Sequence, residues 1–242
     1  MTRSSKFLSQ LENFQQDTYV AAKYLYAGIA IGHAASKSQT LRNRLNETAE
    51  ICEVYQAATQ TGTYITLGRI YDTTSKYNID ALIDSFAAEL QLFSLPELER
   101  RKLGSSSGSK DWLPGYLDQA HVPTFSDVKR LRKNVANHRI FYQKAVRPVR
   151  NKHLAHREKI NHREVQTLYG EGTVGEMLRA VTFLLSLHEA LWQQYFNGRK
   201  PVLKPVRRSV KGLFVGAHNS SAPHERIVQD TKRLMELLEA SP

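Results

Sequence analysis

The sequence predicts an all-α protein, an up-and-down helical bundle with a C-terminal extension. Three observations predict it. Apolar residues recur every three to four positions through nearly all of the 242 residues. No stretch of strand length alternates apolar and polar residues with period two. Helix-start signatures stand at Asn78, Ser94, Thr124 and Thr173, each ahead of an apolar stripe.

Taken in order, Phe7, Leu8, Leu11, Phe14, Thr18, Ala22, Leu25 and Ile29 predict a first long helix running to about Gly32. Leu41, Leu45, Ala49, Cys52 and Tyr55 predict a second. This second helix either continues past Thr61-Gly62-Thr63 into Ile65, Leu67, Ile70 and Tyr71, or weakens or breaks at Gly62. Asn78 caps a third helix carrying Ile79, Leu82, Ile83, Phe86 and Leu90. Ser94-Leu-Pro-Glu97 opens a short separate one. The Gly/Ser stretch 104–109 has linker composition, and Trp112, Pro114, Gly115 and Pro123 mark an irregular loop, so 104–125 is expected to be flexible. After Thr124-Phe-Ser-Asp127, the stripe Val128, Leu131, Val135, His138, Tyr142, Ala145, Val149 predicts a strong helix with basic charge on its opposite face. Thr173-Val-Gly-Glu176 opens the next helix, apolar on more than one side (Val181, Leu184, Leu185, Leu191, Trp192), and Asn197-Gly198 stops it. Residues 1–198 thus form the bundle. Residues 199–242 form the extension: a basic run with Pro201 and Pro205, expected to be extended and solvent-facing, the segment Leu213-Phe-Val215, and a last helix with Ile227, Thr231, Leu234 and Leu238 packed on the bundle.

Charge narrows the function. Lys and Arg number 34 against 23 Asp and Glu, a formal net charge of +11. From Val128 to Glu164, twelve Lys/Arg face only Glu158 and Glu164; from Lys200 to Lys211 there are five basic residues and no acid. These runs are either solvated helix faces or a surface that tracks phosphates. One cysteine, Cys52, excludes an intrachain disulfide framework and any Cys-rich zinc module, and fits a reducing compartment. No apolar run approaches the roughly 18 residues of a membrane span, and Gln10, Glu12 and Asn13 interrupt any signal-peptide core. The expectation is a cytoplasmic protein without membrane contact, whose excess charge points to a polyanionic partner.

No P-loop, dinucleotide fingerprint, HExxH or GxSxG motif occurs. His153, His156 and His162 have only Glu158 and Glu164 nearby as further donors, in a setting that repels cations. Neither a metal nor a cofactor is therefore expected. His138 and His188 lie on apolar stripes and read as core histidines. What remains is Arg147-Pro-Val-Arg150-Asn151-Lys-His153-Leu-Ala-His156-Arg157-Glu158.

Arg150-Asn151, four residues and His156 resemble the R-N-x4-H signature of the HEPN superfamily of helical bundles, many of which are metal-independent ribonucleases in toxin–antitoxin and phage-defence systems. The string RNKHLAHRE, with Ile65–Asp72 (ITLGRIYD) upstream, is similar to the abortive-infection AbiU-like branch. The resemblance spans about residues 7–196. It implies catalytic roles for Arg150, Asn151 and His156. Arg147, Lys152, His153 and Arg157, with Arg207 and Arg208 of the tail, would then contact substrate. It further implies a homodimer with two motifs lining one cleft, and it admits an antitoxin protein as a partner. In one toxin subgroup a tyrosine two residues after the histidine is modified by a partner enzyme; here Glu158 stands there, so that control does not carry over.

The residue types support the chemistry. RNA brings its own nucleophile, the 2′-OH. Histidine titrates near neutrality and can serve as base or acid. Arginine offers a fork of donors to phosphate oxygens. Asparagine orients without charge. On a regular helix, positions six apart are rotated by about 240°, so Arg150 and His156 do not share a face. Either Pro148 kinks or restarts the helix, or facing motifs of two protomers combine; the resemblance implies the second. The alternative from another class is a non-catalytic RNA-binding or scaffold bundle.

Overall fold

In the computed structural model the described residues are 5–105, 109–155, 162–203, 210–215 and 222–240. They form helices α1 (Lys6–Ala35), α2 (Gln39–Glu47), α3 (Ala49–Tyr71), α4 (Ile79–Ala88), α5 (Leu95–Ser105), α6 (Leu113–Asp118) and α7 (Phe125–Phe141), with no strand among them. Then come α8 (Arg147–Val149), α9 (His162–Gly170), α10 (Val174–Asn197), α11 (Val210–Val215) and α12 (Pro223–Ala240). The protein is an all-α helical bundle.

α1 is its spine. Ser5 Oγ accepts from the Leu8 amide, and the Glu89 carboxylate accepts from the amides of Lys6 and Phe7 at 3.2 and 3.1 Å, placing negative charge at the helix N-terminus. From there Phe7, Leu11, Phe14, Ala22, Tyr26 and Ala30 recur at helical spacing, all buried. α3, α12, α10 and α4 pack around this face. Phe7 anchors a ring cluster with Phe86, Phe93 and Tyr195, centroids 5.1 to 5.9 Å from its own.

The capping signals act locally and hold. Asn78 Oδ1 accepts from the Ala81 amide at 2.9 Å and starts α4. Thr173 and Glu176 exchange bonds in a capping box at the start of α10. Gly198 closes α10 at φ 58°, a left-handed position that suits glycine. Asp127, in the first turn of α7, is buried. Burial raises a carboxyl pKa, but the Thr124 amide and the His121 ring donate to it and hold it down to about 2.

Four expectations are corrected. The second helix breaks at Thr48 rather than running on from Leu41, and of the two readings at Gly62 the continuous helix holds. A Cβ on Gly62 would stand 2.6 Å from the Tyr24 ring, so this glycine serves the close approach of α3 to α1. The segment 104–125 is not simply a loop: α5 runs to Ser105 and α6 begins with Pro114 in its first turn. Lys211 of the basic tail lies in helix α11, and Pro201 is buried, its carbonyl accepting from Arg130 Nη2 at 3.1 Å. The face that α12 buries is His224, Val228, Thr231 and Met235; Leu234 and Leu238 point outward. Residues 204–209, with Arg207 and Arg208, lie outside the described residues.

α12 packs along α1, and α11 is tied to it by Gln229 and Lys232, which donate to the carbonyls of Leu213 and Phe214. On α10, Val181, Leu184, Leu187 and Leu191 are fully enclosed, while Leu185 and Trp192 are half-buried. His138 stacks on Phe183 with centroids 3.9 Å apart. His188 is 5% exposed, and burial pushes its pKa down to about 4. The unfolded chain takes up this proton near pH 6.5 and the folded one only near 4. Stability carried by neutral His188 is thus fully present above pH 6.5 and lost as pH falls toward 4, a difference of about 3 kcal/mol. Urea unfolding of the parent and of His188→Gln across this window should show the variant with the shallower loss; parallel curves would rule out the titration.

Candidate functional site

The long stripe predicted from Val128 to Val149 does bury its apolar members, but not on one regular helix. α7 ends at Phe141, and the chain winds on as a π-helical segment over Tyr142–Val146, then α8, then a second π-helical segment over Arg150–Ala155. Pro148 supplies the reason. It has no N–H, and its ring crowds the carbonyl four residues back. Just before it the Arg147 amide reaches the Tyr142 carbonyl, five residues away, which widens the turn. Tyr142, Ala145, Val146 and Val149 remain buried across this winding. π-windings occur often at functional positions.

Arg150 opens the second π-segment and is held from four sides. Its Nη1 and Nη2 both donate to Asp72 Oδ2 at 2.9 Å. Nε donates to Asn151 Oδ1 at 3.0 Å, and Nη1 also reaches the Tyr142 hydroxyl at 3.4 Å. Gly68, one turn before Asp72 on α3, lies beneath the arginine; a Cβ there would stand 2.4 Å from Arg150 Cδ. Asp72 is itself fixed. Its Oδ1 accepts from the Thr74 amide and hydroxyl at 3.1 and 2.8 Å. These bonds, with the Arg150 guanidinium, keep its carboxyl below the usual range. Tyr71 stacks on Tyr142 with centroids 5.1 Å apart, joining α3 to the first π-segment. Burial pushes the Tyr142 phenol up, so it stays protonated.

Around this clasp Arg147 and Lys152 are exposed, and Asn151 and His153 are half-buried. His153 stands edge-on to Tyr169 of α9 at 6.0 Å. Arg150, Asn151, Lys152 and His153 therefore lie on one segment, with Arg147 one turn before it. His156 and Arg157 lie outside the described residues. Sequence reasoning assigned no role to Gly68, Asp72 or Tyr142. Gly68 and Asp72 are four apart, one face of a helix, and both belong to the ITLGRIYD string; that spacing was the available signal.

The structure also redistributes the charge. Of the twelve basic residues in 128–164, five find acids that no local count includes or that lie at its edge. Arg130 pairs with Asp127, Arg132 with Asp84, Arg139 with Asp80, Lys144 with Glu171 and Arg150 with Asp72. Lys129, Lys133, Arg147, Lys152 and Arg163 remain as exposed cations. No helix among the described residues is long and apolar enough to cross a membrane.

The described residues form an all-α bundle, consistent with a HEPN fold, in which Arg150 and Asn151 sit on a π-wound segment after a proline. Comparison with protein families agrees: the AbiU2 family of HEPN domains matches residues 4–212. The chain belongs to that family, an abortive-infection branch of the HEPN superfamily. Comparisons with curated proteins and with solved structures give no match.

Proposed function

We propose that the protein is a metal-independent endoribonuclease of HEPN type that acts as a toxin or phage-defence effector, as a homodimer in the cytoplasm. The observation that carries this reading is the clasp on Arg150. Two strings that each resemble the AbiU-like branch, 78 residues apart, meet at one guanidinium, which holds the first residue of the motif in place. A basic side chain fixed by an acid, an amide and a phenol is oriented before any phosphate arrives, and such preorganisation is what electrostatic catalysis needs.

In this mechanism Arg147, Arg150 and Lys152 draw in the phosphodiester, with Arg157, Arg207 and Arg208 extending the basic track. Asn151, bonded to Arg150 Nε, keeps the guanidinium plane from turning. His156 takes the proton of the ribose 2′-OH, or returns one to the departing 5′-oxygen. The second copy of the motif supplies the complementary proton step. The 2′-oxygen bonds to phosphorus, the P–O5′ bond breaks, and the product ends in a 2′,3′-cyclic phosphate.

The test uses the substrate's own hydroxyl. A single deoxyribose at the scissile step should block cleavage there and leave binding nearly unchanged, since binding rests on phosphates. DNA should bind and survive, and EDTA should leave the rate unchanged. Cleavage of DNA, or a strict Mg²⁺ requirement, would overturn the reading. A protein that binds RNA and never cuts it would instead be the non-catalytic binding bundle.

A further inference from the structure

α1, α3 and the turn between α9 and α10 enclose a cleft of about 570 Å³, within the size range of small-ligand sites. Its walls are mainly apolar and aromatic, with Leu25, Ile29, Val174 and Met177 among the aliphatic residues and, among the described residues, His33 as the one ionisable side chain besides the tyrosines. Tyr24, Tyr64 and Tyr169 supply rings, and Gln56, Gln60 and Thr63 supply hydrogen-bonding groups. No aspartate, glutamate, lysine or arginine is among its described lining residues. Burial pushes the Tyr64 phenol up to about 12 and raises that of Tyr169, so both hydroxyls keep their protons near neutrality. Each can then donate and accept.

The cleft borders the motif. The Tyr169 ring stands edge-on to Tyr64 at 5.5 Å and edge-on to His153 at 6.0 Å. One tyrosine thus belongs both to the cleft wall and to the surroundings of the Arg150–Ala155 segment. Lys152 of that segment and Arg147, one turn before it, are exposed and do not line the cleft.

We propose that this cleft is a nucleobase subsite, taking one base of the RNA strand whose phosphate lies on the Arg150–His153 segment. The inference rests on the RNA reading given above. Single-stranded RNA is recognised by unstacking bases onto aromatic side chains and hydrogen-bonding their edges. A largely apolar, aromatic cleft linked through Tyr169 to the His153 segment would sort a nucleotide into its parts: the base enters, and the phosphate stays with the exposed cations of the motif. Glutamine amides offer a donor and an acceptor to a base edge. The cleft would thus select the base next to the scissile phosphate.

The probes are uncleavable 2′-O-methyl pentamers of adenylate, cytidylate and uridylate, compared with a pentamer of abasic ribose phosphates of equal charge. The first variant is Gly32→Trp. Gly32 lines the cleft, and a Cβ on it meets nothing within 4 Å. A larger residue therefore fills the space without a backbone clash, and replacing glycine favours the helix. Tyr169→Leu is the second variant, with Tyr169→Phe as its conservative counterpart. In the parent, at least one base-bearing pentamer should bind about tenfold tighter than the abasic one. Gly32→Trp and Tyr169→Leu should bring it to the abasic level, Tyr169→Phe should keep most of the preference, and abasic binding should not change. Equal binding of base-bearing and abasic pentamers by the parent would overturn the subsite. So would an unchanged preference in both variants, as expected if the cleft receives a side chain of a protein partner. Failure of the nuclease reading looks different: cleavable RNA stays intact while the base preference persists.

Discussion

His156→Ala is expected to abolish RNA cleavage and to leave RNA affinity near that of the parent. The two readouts separate because they rest on different groups. On the proposed reading, affinity would come from phosphate contacts by Arg147, Lys152 and the other exposed cations of the 128–164 run, none of which the substitution touches. Turnover needs a proton acceptor for the 2′-OH and a donor for the leaving oxygen, and removing such a group costs about 10²- to 10⁴-fold. Arg150→Lys should also be severe, by about two orders of magnitude. A lysine carries the charge but cannot meet Asp72, Asn151 and Tyr142 at once and still face a phosphate. Single-turnover cleavage with filter binding on the same preparations measures both effects. If His156→Ala cut RNA at the parent rate, catalysis would have to be sought elsewhere in the chain.

The second large effect is expected on α3, away from the motif. Asp72→Ala leaves a guanidinium whose side chain is 20% exposed without its counter-charge. Truncating one partner of a buried pair costs roughly 3–5 kcal/mol, and solvent at this pair reduces that to about 1–2 kcal/mol. Cleavage should fall further than stability, by about tenfold to a hundredfold, because Arg150 loses its orientation. Gly68→Ala separates the two consequences. A helix interior favours alanine over glycine by about 1 kcal/mol. The new Cβ, however, would meet Arg150 Cδ at 2.4 Å and push the side chain off Asp72. Thermal melting should therefore change little while the cleavage rate falls at least tenfold. A Gly68→Ala protein that melts and cleaves like the parent would mean that the placement of Arg150 seen here is not the productive one.

The fold was legible wherever its determinants are short-ranged. Asn78 and Thr173 cap their helices because a side-chain oxygen accepts from an amide three residues on, and at Thr124 the Asp127 carboxylate accepts from the amide three residues back, arrangements contained within one turn. The stripes of α1, α4 and α10 specify which faces are buried for the same reason. Where a local rule fails, the competing contact is distant. Gly62 reads as a breaker by propensity, yet α3 runs through it because Tyr24, 38 residues earlier, occupies the space a side chain would need. Leu234 and Leu238 read as the inner face of α12. Its packing against α1 buries His224, Val228, Thr231 and Met235 instead, since the rotation of a helix about its axis is set by its neighbours.

The candidate site divides in the same way. The sequence by itself determined the all-α class, the helix starts, and a motif whose arginine, asparagine and histidines are the residue types for metal-free phosphodiester chemistry. It offered a kink or restart at Pro148 as one of two ways to reconcile the motif with helix geometry, beside a site shared by two protomers. Only the tertiary structure decided that the departure is a π-winding, because the buried residues Tyr142 to Val149 must stay in the core while the proline forfeits a hydrogen bond. Only it paired Arg150 with Asp72 across 78 residues, set Gly68 beneath that arginine, and matched five cations of the basic run to acids. A periodic pattern records which face of a helix is apolar. It does not record which other helix that face meets, and ion pairs and close approaches belong to the meeting.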